Sequence, residues 1–215
     1  MNRLLLGPAA KPVIFMLALM PAVWLAWAAA FNLLGANPAE VLIRSTGDWT
    51  LRMLCVVLAV TPLRVQFGLT ALARLRRMLG LYVFFYAVLH LLCYAWLDMG
   101  FEVSEMAVDI GKRPFILVGF AAIVLLAVLA ATSWNQAIRT LGAARWQALH
   151  RLVYAVALLA VLHFFWMRAG KNDFAEVQAY AALLGSLLGW RLWRYVSAQR
   201  GRAAVRQPGI DPGLR

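Results

Sequence analysis

Six stretches of this chain, at residues 13–34, 49–65, 78–97, 115–134, 148–167 and 175–195, are apolar over roughly the length needed to cross a bilayer. A hydrocarbon core takes about 20 helical residues. Lipid offers the backbone no hydrogen-bonding partner, so each stretch reads as a helix that pairs its own N–H and C=O groups. Hydrophobic residues make up 64% of the sequence and charged residues only 14%. That composition cannot clothe a water-soluble globule. The expected fold is an all-α integral membrane protein, a bundle of six transmembrane helices. The second stretch is the weakest. It is short, carries Arg52, and meets Thr61-Pro62, where a helix should stop or kink. Pro21 is placed to kink the first, and nine tryptophans suit the aromatic belts of a membrane interface.

Charge sets the orientation. With both termini cytoplasmic, the inner segments hold Arg3, Lys11, Arg64, Arg74, Arg76, Arg77, Arg139, Arg145, Arg151, Arg191, Arg194 and the arginines of the tail. The outer segments hold only Arg44, Lys112, Arg113, Arg168 and Lys171. Basic residues therefore gather inside at every loop. Eight of the nine acids, all but Asp211, fall outside, which agrees independently. Residues 1–199 read as one membrane domain. Residues 200–215 form a basic tail with Pro208, Gly209, Pro212 and Gly213, expected to be disordered. Arg3 and Lys11 before a run ending in AWAAA imitate a signal peptide, but the run is longer than a usual signal core and is read as an uncleaved helix. The net charge of +12 does not point to nucleic acid, because no basic helix or strand stands free of the spans to enter a groove. Cys55 and Cys93 lie inside apolar runs, which argues against a disulfide or a structural zinc site.

The chemistry-bearing residues are the three histidines, His90, His150 and His163, all in or at the edge of apolar spans. An imidazole at membrane depth needs an internal partner or a metal. The third and fifth spans both run from inside to outside. His90 lies 13 residues beyond Arg77, and His163 lies 13 residues beyond His150. At 1.5 Å rise per residue each interval is roughly 20 Å, so His90 and His163 share a depth in the outer half of the bilayer. Two facing imidazoles can hold a haem iron from both sides, an arrangement suited to electron transfer. Val156 and Ala160 are small enough to leave room for a porphyrin, and Tyr86 and Tyr94 flank His90 at helical spacing, where they could pack on or hydrogen-bond to it.

His150 is different. It sits near the inner edge beside Arg151, where a solvated histidine costs little. Positions 13 apart on an ideal helix differ by about 220° in direction, so His150 and His163 share a face only across a kink or a tightened turn. Its level on the third span is occupied by Arg77, which is no iron ligand but can pair with propionates. Met167, four residues after His163, is a conceivable axial ligand, although a methionine near a helix end more often serves packing.

Several motifs together resemble a known family. They are Ser45-Thr46-Gly47-Asp48-Trp49, Thr61-Pro62-Leu63-Arg64, Arg76-Arg77-Met78-Leu79-Gly80-Leu81, the helix bearing His90, Gly111-Lys112-Arg113-Pro114, and the segment from Trp146 through His163. The chain is similar to the MsrQ (YedZ) family of haem-binding membrane subunits, part of the ferric-reductase-like transmembrane group. The resemblance implies a b-type cytochrome of the bacterial inner membrane. It would pass electrons to a periplasmic molybdenum-containing reductase, MsrP, which repairs methionine sulfoxide in envelope proteins. It also implies His90, His150 and His163 as haem ligands, one or two haems b, FMN, and the quinone pool or a cytoplasmic flavin reductase as donor. Related ferric reductases use four histidines for two haems, whereas this chain offers three. No nucleotide-binding loop of the G-x-G-x-x-G kind is present.

The expected role is therefore electron carriage, with sulfoxide reduction on the partner rather than on this chain. A proton-coupled transporter using the intramembrane histidines is an alternative, as is a ferric reductase acting on external iron. Arg74, Arg76 and Arg77 could receive an anionic flavin or acidic donor, or simply set topology. The acidic segment 98–109 is a candidate docking surface, or simply a solvated loop.

Overall fold

The computed structural model describes residues 6–170 and 172–206, and every regular element among them is helical. In chain order these are α1 (Ala10–Ala30), α2 (Pro38–Gln66), α3 (Arg76–Cys93, continued by a π-helical turn at Tyr94–Asp98), α4 (Val103–Lys112), α5 (Pro114–Ala131), α6 (Asn135–Leu141), α7 (Ala143–Leu149), α8 (Val153–Ala169) and α9 (Ala175–Arg206). Arg3, Lys171 and the end of the tail from residue 207 lie outside the described residues. Four segments are long and apolar enough to cross a membrane: Ala10–Ala30, Arg76–Asp98, Pro114–Ala131 and Ala143–Ala169. The second and sixth expected spans fall within α2 and α9, helices of 29 and 32 residues that also carry charged groups.

The ends of several elements differ from expectation for local reasons. α2 begins 11 residues ahead of the expected span. Asn37 caps it, its side-chain oxygen accepting from the Glu40 N–H at 3.2 Å, and Pro38 occupies the first turn, where its missing N–H costs nothing. α2 also runs through Thr61-Pro62 instead of stopping there. Pro62 has no N–H to give the carbonyl of Leu58, and the Arg191 guanidinium of α9 donates to that oxygen instead. At the other end of the chain, α9 continues to Arg206, seven residues into the segment expected to be disordered. Alanine and arginine are strong helix formers, and the first proline of that segment comes only at Pro208.

The bundle is organised as two tightly packed pairs, α2 with α3 and α5 with α8. α3 also packs on α5, which joins the pairs, and α9 lies against both α2 and α8. Leu54, Val83, Tyr86 and Val156 are fully buried where these helices meet. α1 is held from outside. Tyr82 and Tyr86, one turn apart on α3, donate to the carbonyls of Phe15 (2.9 Å) and Ala18 (2.7 Å). These oxygens lie on either side of Leu17, whose own carbonyl Pro21 cannot serve. Met16, Leu17, Met20 and Trp24 of α1 remain exposed, as a lipid-facing surface requires.

Outside the spans, Asp109 of α4 accepts from the Tyr94 hydroxyl at 2.8 Å and pairs with Arg113 at 2.9 Å, so the loop helix is tied to the end of α3. Arg168 closes the turn between α8 and α9 on Asp173 (3.3 Å) and Glu176 (2.5 Å).

Replacing Arg191 with leucine should leave the Leu58 carbonyl without a donor and cost about 1 kcal/mol or somewhat more. Pro62→Ala restores the missing N–H, so the double variant should lose clearly less than Arg191→Leu alone. Thermal unfolding of the detergent-solubilised single and double variants checks this. Strictly additive losses would refute the pairing.

Candidate functional site

The outer site is built by the two helix pairs. α3 carries His90 and α8 carries His163, and their ring centroids lie 6.1 Å apart with an interplanar angle of 79°. The depth match read from residue counts is therefore realised in space. Each ring reaches back to the partner helix of its own pair. His90 Nδ1 lies 2.8 Å from the carbonyl oxygen of Ile43 on α2, and His163 Nδ1 lies 2.6 Å from that of Phe115 on α5. A carbonyl can only accept, so both Nδ1 atoms carry the proton. Each Nε2 is then the lone-pair nitrogen left for a metal. Metal-bound histidines typically hold their second nitrogen in this way, which fixes tautomer and ring orientation.

The separation fits one shared metal ion. Metal–imidazole bonds of about 2 Å, with ring centres about 1.2 Å behind the ligating nitrogens, put two collinear rings roughly 6.4 Å apart. Among the described residues no group of three or more His, Cys, Asp or Glu could hold a metal. Two nitrogen donors alone suit an ion whose remaining positions are filled by a macrocycle. The residues present thus fit a haem held between His90 and His163.

Other sequence expectations for this site are revised. The hydroxyls of Tyr86 and Tyr94 are engaged by Ala18 and Asp109, so neither is offered to a porphyrin. Val156 is fully buried in the core, with Ala160 packed against it. Met167 also packs against the core, in keeping with the packing role. Two glycines that the sequence reading left without a role lie directly against the imidazoles, Gly47 at His90 and Gly119 at His163. Nothing in an apolar helix such as PFILVGFAAIVLLAVLAA marks its glycine as special; only the fold does.

His150 lies apart from this pair, in a cavity of about 310 Å³ that Arg64, Arg76, Arg77 and Trp146 also line. Arg77, placed at its level from the sequence, is thus its neighbour across the cavity. The tightened turn that the 13-residue spacing demands is present. His150 opens a 3-10 turn, His150–Leu152, wedged between α7 and α8. Its ring stacks on Trp146 at 4.0 Å, and its Nε2 lies 3.1 Å from the Thr132 hydroxyl. Trp146 in turn donates its indole N–H to the Thr132 carbonyl at 2.8 Å. No second histidine lines the cavity. Arg77 is itself held by Asn135 at 2.7 Å, and Arg74 reaches the carbonyl of Leu6 at 3.3 Å.

Comparison with known proteins gives these sites a context. The family described as ferric reductase like transmembrane component matches residues 46–161. The chain is 64% identical over 203 residues to the protein-methionine-sulfoxide reductase heme-binding subunit MsrQ of Polaromonas naphthalenivorans (strain CJ2), covering 94% of this chain and 93% of that one. It is 54% identical to the subunit of the same name from Ralstonia nicotianae, over 86% of this chain and 85% of the relative. The Xanthomonas campestris pv. campestris subunit is 44% identical over 93% of both chains. No solved structure matches the chain.

With only three histidines in the chain, nitrogen-15 NMR of histidine-labelled protein prepared without metal can test the ring assignments, each peak identified by single substitution. His90 and His163 should both show a protonated Nδ1 and a bare Nε2. An Nε2–H tautomer at either would refute the anchored geometry.

Proposed function

This chain belongs to the MsrQ subunits of the ferric-reductase-like transmembrane family, and we propose that it is the b-type haem electron-transfer subunit of a periplasmic protein-methionine-sulfoxide reductase. The observation that carries the reading is the pair His90 and His163, 6.1 Å apart and each anchored through Nδ1 to a backbone carbonyl. Haem held between two imidazoles supplies one-electron transfer with no open position for a substrate. The chain's own residues set ligand direction and basicity, through the Ile43 and Phe115 carbonyls, and shield the centre from water. The same anchoring disfavours a proton relay, in which both ring nitrogens must exchange protons freely.

In this proposal the protein is a multi-pass protein of the bacterial inner membrane with six spans and both termini cytoplasmic, residues 1–199 forming one domain. The excess of inner arginines over outer basic residues supports that orientation. Reduction of the sulfoxide belongs to the catalytic partner, MsrP, on the outer side. Of the acidic segment, Glu102 and Glu105 are exposed and available for docking, whereas Asp109 is occupied by Tyr94 and Arg113. The inner cavity, with His150 as its imidazole and Arg76 and Arg77 as partners for propionates, is the place for a second haem. That haem would have one histidine ligand. The donor on the inner side is the quinone pool or a flavin reductase, and FMN rests on family membership alone.

Protein produced with ample haem should be red, with a sharp reduced α-band of a low-spin b-type centre. His90→Ala and His163→Ala should each abolish that low-spin signal. His150→Ala should remove at most a second haem, lowering haem per protein without erasing the band. A colourless protein, or one in which His150→Ala alone removes all haem, would overturn the proposal.

A further inference from the structure

Beyond the ligands themselves, we propose that Gly47 and Gly119 are positioning residues: each clears the space through which an axial imidazole reaches its anchoring carbonyl. This inference rests on the reading of His90 and His163 as haem ligands. A Cβ on Gly119 would stand 2.7 Å from Nδ1 and 2.9 Å from Cε1 of His163. A Cβ on Gly47 would stand 3.2 Å from both Cε1 and Nδ1 of His90. Comfortable contacts between such atoms begin at about 3.5 Å. An alanine at 119 therefore forces the ring to move, and one at 47 presses it.

The register is the same at both sites. The carbonyl that accepts from His90 belongs to Ile43, four residues before Gly47, and the one that accepts from His163 belongs to Phe115, four residues before Gly119. In an α-helix the N–H of residue i+4 points at the carbonyl of residue i. The glycine's own N–H thus lies toward one lone pair of that oxygen, and the imidazole comes to the other. Its path crosses the surface of residue i+4, where any side chain would intervene. The arrangement occurs on two different helices and meets both histidines of the pair. Gly185 and Gly189 of α9 have nothing within 4 Å of a built Cβ, and Gly80 of α3 has only Val57 at 4.0 Å. Glycine weakens a helix relative to alanine, and at 47 and 119 the imidazole contact accounts for its presence.

The chemical consequence is specific. An Nδ1–H that donates to a backbone carbonyl makes Nε2 more basic. A more basic axial nitrogen favours the ferric over the ferrous ion, so pushing the ring off its carbonyl raises the midpoint potential. The nearly perpendicular imidazole planes, 79° apart, should also give the ferric centre a strongly anisotropic low-spin resonance. That resonance reports ring orientation directly.

The test compares Gly119→Ala, Gly47→Ala and Gly185→Ala in the full-length, haem-loaded protein by potentiometric titration, electron paramagnetic resonance and haem retention. Gly119→Ala should raise the ferrous-to-ferric ratio at fixed potential at least tenfold, an upward shift of about 59 mV for one electron. It should also move the low-spin g values and weaken haem affinity roughly 10- to 100-fold. Gly47→Ala should do the same to a smaller extent, and Gly185→Ala should match the unsubstituted protein. If Gly119→Ala does not yield monodisperse protein, Gly47→Ala decides alone. Unchanged potential and g values in the glycine variants overturn the inference, as does an equal shift in Gly185→Ala. A low-spin signal surviving His90→Ala or His163→Ala would instead sink the ligand reading beneath it, a distinct outcome.

Discussion

A helix carbonyl bound by its own helix keeps a second lone pair, and in a bundle sheltered from water that lone pair is the commonest acceptor a neighbouring side chain can find. The polar contacts that join helices in this structure use it repeatedly. Tyr82 and Tyr86 donate to Phe15 and Ala18, Trp146 to Thr132, His90 to Ile43, His163 to Phe115, and Arg191 to Leu58. In the last case the proline at 62 has left the acceptor without any helical donor. Each such bond in a membrane bundle is modest, about 0.6 kcal/mol on average. Their directionality matters more. Apolar side chains let helices slide, whereas a hydroxyl or imidazole aimed at one carbonyl selects a register.

That selection explains why the outer site is rigid. His90 and His163 belong to different helix pairs, α2 with α3 and α5 with α8, and each imidazole is anchored within its own pair. The contact between α3 and α5 then sets the gap between the rings. The 6.1 Å separation is thus a property of how the two pairs dock. The inner site lacks this symmetry. His150 leans on Trp146 and a threonine hydroxyl, faces arginines across its cavity, and meets no second imidazole there.

Depth was legible in the sequence, because helical rise converts residue counts into height and the arginine distribution supplies a zero. His90 and His163 could be paired, and Arg77 set level with His150, on arithmetic alone. Direction was harder to read. A tyrosine one turn from a histidine looks available to a bound ring, yet Tyr86 faces α1, because helix packing decides where its hydroxyl finds an acceptor. Helix ends were misjudged where a distant group intervened, as Arg191 does for Pro62. Gly47 and Gly119 were silent because their role depends on a ring from another helix. Absence of a side chain gives no periodic signal.

The interruption around His150 has a mechanical side. Gly142, with φ of 75°, hinges α6 to α7, and the 3-10 turn at His150–Leu152 uncouples α7 from α8. The expected fifth span is therefore a jointed rod rather than a single stiff one. His163 rides on the long segment gripped by α5, while His150 sits at the joint, tied through Trp146 and Thr132 to the short one. A push on α6 or α7 from the inner surface swings the lower lever about that joint and leaves the upper in place. The two halves of one nominal span thus answer to opposite sides of the membrane.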